Sequence, residues 1–230
     1  MTLHLLPNLL AEGVDARLFL PSSVDQAVLS LDGLIAESMP GGRRYLKHFK
    51  TKVPIHQLPI ALITEPVDFL LEPVLKGEQW GVVSDAGLPC LADPGSMLVR
   101  RAREKGLELK TYPGPSSLTM SLILSGLPGQ RFTFHGYLPK EPAGRKEALI
   151  ALQTRSKQDK ATQIFIEAPY RNAHTFAACL QTLHAQTWLS LGMNLTSPSQ
   201  IMDTKKIHQW QQAPLQLGKN PAIFLIYAGT

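Results

Sequence analysis

The chain is short of cysteine and of long apolar runs, and each shortage removes a class of protein. Only Cys90 and Cys179 occur among its 230 residues. They lie far apart and lack the close spacing of a zinc site, so reduced thiols of a cytosolic protein are expected rather than a disulfide framework. No apolar stretch reaches the roughly 18 residues that a membrane-spanning helix needs, so no membrane partner is expected. The first residues, Met1-Thr2-Leu3-His4-Leu5-Leu6-Pro7, carry no basic segment, and Pro7 interrupts their apolar run. A secretory leader is therefore not expected, and a cytoplasmic location is. There is no G-x-G-x-x-G, no G-x-x-x-x-G-K-[ST] and no G-x-S-x-G. Those gaps argue against a dinucleotide-binding Rossmann site, a P-loop and an α/β-hydrolase nucleophile elbow. The seven histidines form no H-x-x-x-H pair and have no cysteine partners, so no metal site is expected.

What is present is a chain that can bury a core. Hydrophobic residues make up 44% and charged residues 18%, which excludes a disordered polymer. The length suits one large α/β domain or two of about 110 residues. The net charge of +5 is unevenly spread: residues 1–115 carry 12 Lys/Arg against 13 Asp/Glu, residues 116–230 carry 11 against 5. A positive second half suits a polyanion such as RNA, and is equally the surface of an ordinary basic domain.

Short apolar runs alternate with helical stretches, the pattern of an α/β fold. Strands are predicted at 3–6, 33–36, 60–63, 80–83, 107–112, 132–137, 163–167, 189–195 and 221–227. Helices are predicted at 24–31, 43–49, 67–75, 97–105, 116–125, 143–152 and 173–183, with 154–162 a polar connection. Pro113-Gly114-Pro115 stops regular structure abruptly. The expectation is two α/β lobes, residues 1–114 and 115–230, with a ligand cleft between them.

Four turns follow predicted strands: Ser84-Asp85-Ala86-Gly87-Leu88-Pro89 running on to Ala92-Asp93-Pro94-Gly95, Pro113-Gly114-Pro115-Ser116-Ser117, Phe134-His135-Gly136-Tyr137-Leu138-Pro139, and Phe165-Ile166-Glu167-Ala168-Pro169-Tyr170-Arg171. In open α/β sheets ligands bind at the carboxyl ends of strands. A carboxylate such as Asp85 there can accept from a ribose or an amino group. Taken singly, each is an ordinary Gly/Pro turn; four together point to a site.

In this order the motifs S-D-A-G-x-P…A-D-P-G, P-G-P-S-S-L, F-x-G-Y-L-P and F-I-E-A-P-Y-R resemble the tetrapyrrole-methylase superfamily, and most closely its branch of small-subunit rRNA ribose 2′-O-methyltransferases. Upstream, Ile35-Ala36-Glu37-Ser38 and Arg43-Arg44-Tyr45-Leu46 are similar to that branch's A-E-D…R-[KR]-x-L segment. The resemblance covers about residues 33–230. It implies two α/β lobes with S-adenosylmethionine held in the cleft between them, and a homodimer. It assigns the cofactor to Asp85 and Leu88, to Ser116 and Ser117, and to Ala168, Asn194, Leu195 and Ala222, with Pro7 of the first loop beside them. Glu37 or Glu167 is expected to position the acceptor, with Arg171 near; the plainer reading of Glu167 is a structural pair with Arg171.

The chain also departs from that branch. Its first loop, Leu6-Pro7-Asn8-Leu9, lacks the glycine of T-P-I-G-N-L, Ser38 replaces an acid, and no further segment follows the last predicted strand. Three readings stay open: an RNA ribose methylase, a methylase of a tetrapyrrole or other non-RNA acceptor, and a paralogue that binds S-adenosylmethionine or RNA without catalysis. For the first, Lys140, Arg145, Lys146, Arg155, Lys157 and Lys160 are expected on phosphates, with Arg43, Arg44, Lys47, Lys50 and Lys52 as a second strip.

Overall fold

The computed structural model describes residues 1–229. Two compact units divide at Ser116/Ser117, and each is built on its own five-stranded sheet.

The first unit is wholly parallel. Its strands are β1 (Thr2–Leu5), β2 (Gly33–Ala36), β3 (Ile60–Leu62), β4 (Trp80–Val83) and β5 (Glu108–Thr111), in the order β3-β2-β4-β1-β5. Apolar runs such as Gly-Leu-Ile-Ala and Trp-Gly-Val-Val become central strands buried throughout, as a sheet covered on both faces requires. Alternate side chains feed two cores. Leu6, Leu34, Ala36 and Val83 pack on α1 (Ser22–Ser30) and α2 (Met39–Leu46). Leu3, Ile35, Ala61 and Val82 pack on α3 (Val67–Leu75) and α4 (Ser96–Glu104). From β2 the chain runs outward through α2 to β3; from β4 it runs the other way through α4 to β5. The two departures diverge, so the crevice between the carboxyl ends of β2 and β4 is a topological switch point.

The second unit begins with α5 (Ser117–Ser125). Its sheet has the order β6-β7-β10-β8-β9, from β6 (Phe132–Tyr137), β7 (Thr162–Glu167), β8 (Trp188–Met193), β9 (Ile201–Lys206) and β10 (Ala222–Tyr227). Only β6 and β7 pair in parallel; the other pairings are antiparallel. One face is covered by α6 (Pro142–Asp159), α7 (Asn172–Thr182) and α8 (Ile207–Gln212). Phe165 stacks on Phe224 with ring centres 5.1 Å apart, and Trp210 meets Phe176 edge-on at 5.3 Å. Buried Trp210 donates its indole N–H to the Leu189 carbonyl at 2.9 Å, the partner a buried indole needs.

Four elements differ from the sequence-based expectation. α2 starts at Met39, four residues early, because Ser38 caps it by accepting the Gly41 N–H and Pro40 fits its first turn. α6 continues through the polar stretch to Asp159, its exposed side carrying Arg155 and Lys157. β9 and α8 were not anticipated: Ile-Met-Asp-Thr-Lys-Lys is an edge strand with every residue half-exposed, and it has no apolar run to signal it.

Candidate active site

At the carboxyl end of the first unit's sheet, β1, β2, β4 and β5 deliver Pro7, Glu37, Asp85 and the Pro113–Ser116 turn. Asn8 ties these ends together. Its side-chain amide donates to the Ser84 and Asp85 carbonyls at 2.9 and 3.0 Å, and its backbone N–H donates to Gly87 at 2.7 Å. The first loop therefore docks on the β4 turn through Asn8 instead of through a glycine. The close approach has moved to Gly114, where a Cβ would overlap the Pro7 ring.

Asp85 sits at the switch point and is exposed. Its N–H donates to the Glu37 carboxylate at 3.0 Å. Its own carboxylate accepts the Ser38 hydroxyl at 2.8 Å, while Ser38 accepts the Gly41 N–H at 3.0 Å. Ser38 is thus both helix cap and partner of Asp85; an acid at 38 would repel that carboxylate. A Cβ on Gly41 would overlap the Asp85 Oδ1. Sequence reasoning did not single out Gly41, because the helix predicted over 43–49 left Gly41-Gly42 outside it; the structure places the pair within α2. Glycine costs a helix interior about 1 kcal/mol, so a pair there points to close packing.

Asp93 belongs to the same acidic group. Burial first, then the nearby Glu37 carboxylate, push its carboxyl from 3.8 up to about 6, with a hydrogen bond to Ser84 opposing them and the Asp85 carboxylate adding least. The folded chain therefore holds this proton more tightly than the unfolded chain. The stabilisation is complete below about pH 4 and is lost as pH rises through about 6. Asp93 is half-exposed, which limits the effect to on the order of 1 kcal/mol. Urea midpoints measured near pH 4 and near pH 7 should fall more with rising pH in the wild type than in Asp93→Asn. Identical pH dependence would rule out the assignment.

In the second unit Glu167 pairs in register with Ala222, and Ala222 with Met193. Ala168, Asn194, Leu195 and Ala222 therefore gather at one end of that sheet. Asn194 is held with a positive φ of 51°, which asparagine tolerates better than most residues. Glu167 is buried. Its carboxylate is ion-paired with Arg171, accepts the Thr175 hydroxyl at 2.7 Å and accepts the Ala168 N–H at 2.8 Å. Arg145 donates to Thr175 at 3.1 Å and to the Lys140 carbonyl at 3.1 Å. Nε and Nη1 of Arg171 and Nε of Arg145 are buried without a hydrogen-bond partner. Thr175, one helical turn into α7, carried no sequence signal.

Because Arg145 is buried, it is withdrawn from the expected phosphate contacts. Lys140, Lys146, Arg155, Lys157 and Lys160 are exposed. On the first unit Arg43, Lys47 and Lys50 are also exposed. Arg44 lies 3.5 Å from Glu12, and Lys52 pairs with Asp32. A cavity of about 250 Å³ opens beside α2, lined by the 8–13 loop, Gly41, Arg44, Tyr45, Lys47, His48 and Asp85. Among the described residues no group of three His, Cys, Asp or Glu side chains is placed to hold a metal, and no helix is long and apolar enough to cross a membrane.

No family model matches the chain. Its sequence is 39% identical over 154 residues to the Ribosomal RNA small subunit methyltransferase I of Xylella fastidiosa (strain Temecula1), covering 65% of this chain and 52% of that one. It is 30% identical over 171 residues to the protein of that name from Escherichia coli O157:H7, covering 74% and 58%. With the Pasteurella multocida protein the identity is 28% over 194 residues, covering 83% and 66%. The chain thus spans about half to two thirds of the length of these curated relatives. Among solved structures, a uroporphyrin-III-C-methyltransferase from Thermus thermophilus matches with a TM-score of 0.61 at 14% identity, covering 99% and 94% of the two chains. A diphthine synthase matches with a TM-score of 0.64 at 14% identity, covering 99% and 89%. At such identities the structures speak for the fold alone, two α/β units of this kind. In sequence the chain is similar to small-subunit rRNA methyltransferases over about half to two thirds of their length.

Proposed function

We propose that this chain is an S-adenosylmethionine-dependent methyltransferase acting on RNA, at a ribose 2′-hydroxyl of small-subunit rRNA, and that it works as a cytoplasmic homodimer. The carrying observation is Asp85, an exposed carboxylate fixed at the switch point by Ser38 and by the Glu37–Asp85 backbone contact. The names of the relatives supply the reaction class and the acceptor. The residues present fit the cofactor. Asp85 can accept from its amine or ribose hydroxyls, with Pro7, Leu88, Ser116 and Ser117 as neighbours in sequence to these turns. The strand ends at Ala168, Asn194, Leu195 and Ala222 offer backbone groups and apolar surface suited to an adenine.

When bound, the cofactor supplies a sulfonium-activated methyl group. The protein's task is to align an acceptor hydroxyl and exclude water, and alignment alone can supply about 7–11 kcal/mol. Glu37 accepts the Asp85 N–H through Oε2, which leaves Oε1 to orient the acceptor hydroxyl and take its proton. Glu167 and Arg171 hold the Ala168 turn.

Calorimetric titration with S-adenosylmethionine should give one site per chain. Removing a hydrogen-bonded charged group costs about 1.5–3 kcal/mol, so Asp85→Ala should bind roughly tenfold or more weakly. Labelled methyl groups should then appear in the RNA of purified small ribosomal subunits. A folded wild type that does not bind the cofactor would overturn the enzyme reading. Binding together with transfer only to a porphyrinogen or a protein would overturn the RNA assignment.

A further inference from the structure

The cavity beside α2 includes only one residue assigned above to the cofactor, Asp85. Its remaining wall has a consistent character. Arg44, Lys47 and His48 stand at i, i+3 and i+4 and so share one side of the chain at the end of α2. Opposite them runs the Leu9–Gly13 loop, anchored at its start by Asn8. We propose that this cavity seats one nucleotide of the RNA acceptor, with its phosphate against Arg44, Lys47 and His48 and its sugar towards Asp85. The proposal rests on the RNA reading above and assigns that reading a place.

Size comes first. At about 250 Å³ the cavity falls below the roughly 300–1,000 Å³ of pockets that enclose a whole drug-sized ligand. It suits one unit of a polymer whose remainder lies on the surface. Charge is the second ground. Two acids also line the cavity, Glu12 and Asp85. The Glu12–Arg44 contact is 3.5 Å between largely exposed side chains, a class of pair worth about 0–1 kcal/mol and readily exchanged for a phosphate. Asp85 accepts from the neutral Ser38 hydroxyl and keeps its charge, so it faces the sugar and not the phosphate. Lys47 has no ion-pair partner among the described residues. Position is the third ground: Asp85 is a wall of the cavity and also the proposed cofactor ligand, so a nucleotide seated here lies beside the methyl donor, as an in-line transfer requires.

The test uses the full chain and a fluorescently labelled single-stranded oligoribonucleotide of mixed sequence, titrated by anisotropy over a range of salt. Arg44→Gln/Lys47→Gln, both exposed and checked for an unchanged melting curve, should lower affinity at least tenfold. At about 0.7 per phosphate contact on a single strand, losing this one phosphate contact should make the slope of log affinity against log salt shallower by about 0.7. Independently, 4-thiouridine in the oligonucleotide should cross-link the wild type within residues 8–13 or 41–48. Wild-type binding that the double variant retains, or cross-links confined to α6, would overturn the cavity assignment while leaving the RNA reading standing. A folded wild type that binds neither this RNA nor small ribosomal subunits would overturn both.

Discussion

Glu167→Gln should destabilise the second unit by about 3–5 kcal/mol, the loss expected when one partner of a buried ion pair is removed and the other stays charged in the interior. The pair is closed from water: the Glu167 side chain is 0% exposed and that of Arg171 11%. Arg171 has no substitute partner, since its Nε and Nη1 are already without hydrogen bonds. A domain is stable by about 5–15 kcal/mol in total, so this one change removes a large part of it. Urea unfolding followed by circular dichroism should show a lower midpoint. Glu167→Leu/Arg171→Met, which removes both charges and keeps most of the volume, should recover much of the loss. A single-variant loss below about 1 kcal/mol would place the pair among solvated surface contacts. If Glu167→Gln, assayed at a temperature where it is folded, also keeps its turnover, Glu167 is a structural residue; a selective loss of turnover would restore it as an acceptor-positioning group.

Gly41→Ala should weaken S-adenosylmethionine binding about as much as Asp85→Ala, roughly 10- to 100-fold by the worth of a hydrogen bond to a charged group. The aspartate is still present in this variant, but it cannot remain in place. The added methyl would overlap Oδ1, and α2 cannot withdraw easily because Tyr45 and Leu46 anchor it in the core. The carboxylate must therefore rotate away from Ser38. Alanine is itself the better helix former, by about 1 kcal/mol, so thermal stability should hold while affinity drops. That opposite movement separates a displaced ligand group from a damaged fold. Unchanged affinity would show that the Asp85 carboxylate takes no part in holding the cofactor.

Much of the architecture was legible because burial writes itself into sequence. Gly33–Ala36 and Trp80–Val83 are apolar on both faces. The strand-end turns were legible because a backbone that approaches another closely needs glycine or proline. β9 was not, since a half-exposed edge strand has no apolar run to give it away. Within the site, Asp85 and Glu37 were visible as acids beside strand ends. What fixes them was not: Asn8 bridges 76 residues of chain to reach Ser84, a pairing that only the strand order creates. Arg145 looked like one more cation of a basic helix, and its burial depends on Thr175, 30 residues further on.

The strand order has a consequence for how the chain is made. β1 pairs only with β4 and β5, and β4 also separates β1 from β2. Leu3 and its neighbours leave the ribosome with both edges bare and stay so until Val83 has followed, roughly 4–16 s later at about 5–20 residues per second. During that interval nothing in the nascent chain can complete the sheet, and the β2–β3 pair waits with one edge open. Emergence of β4 joins β1 to the β2–β3 pair, and emergence of β5 covers the other edge of β1. A pause before residue 80 therefore prolongs exposure of apolar strands, and a slow codon run in α3 is harmful.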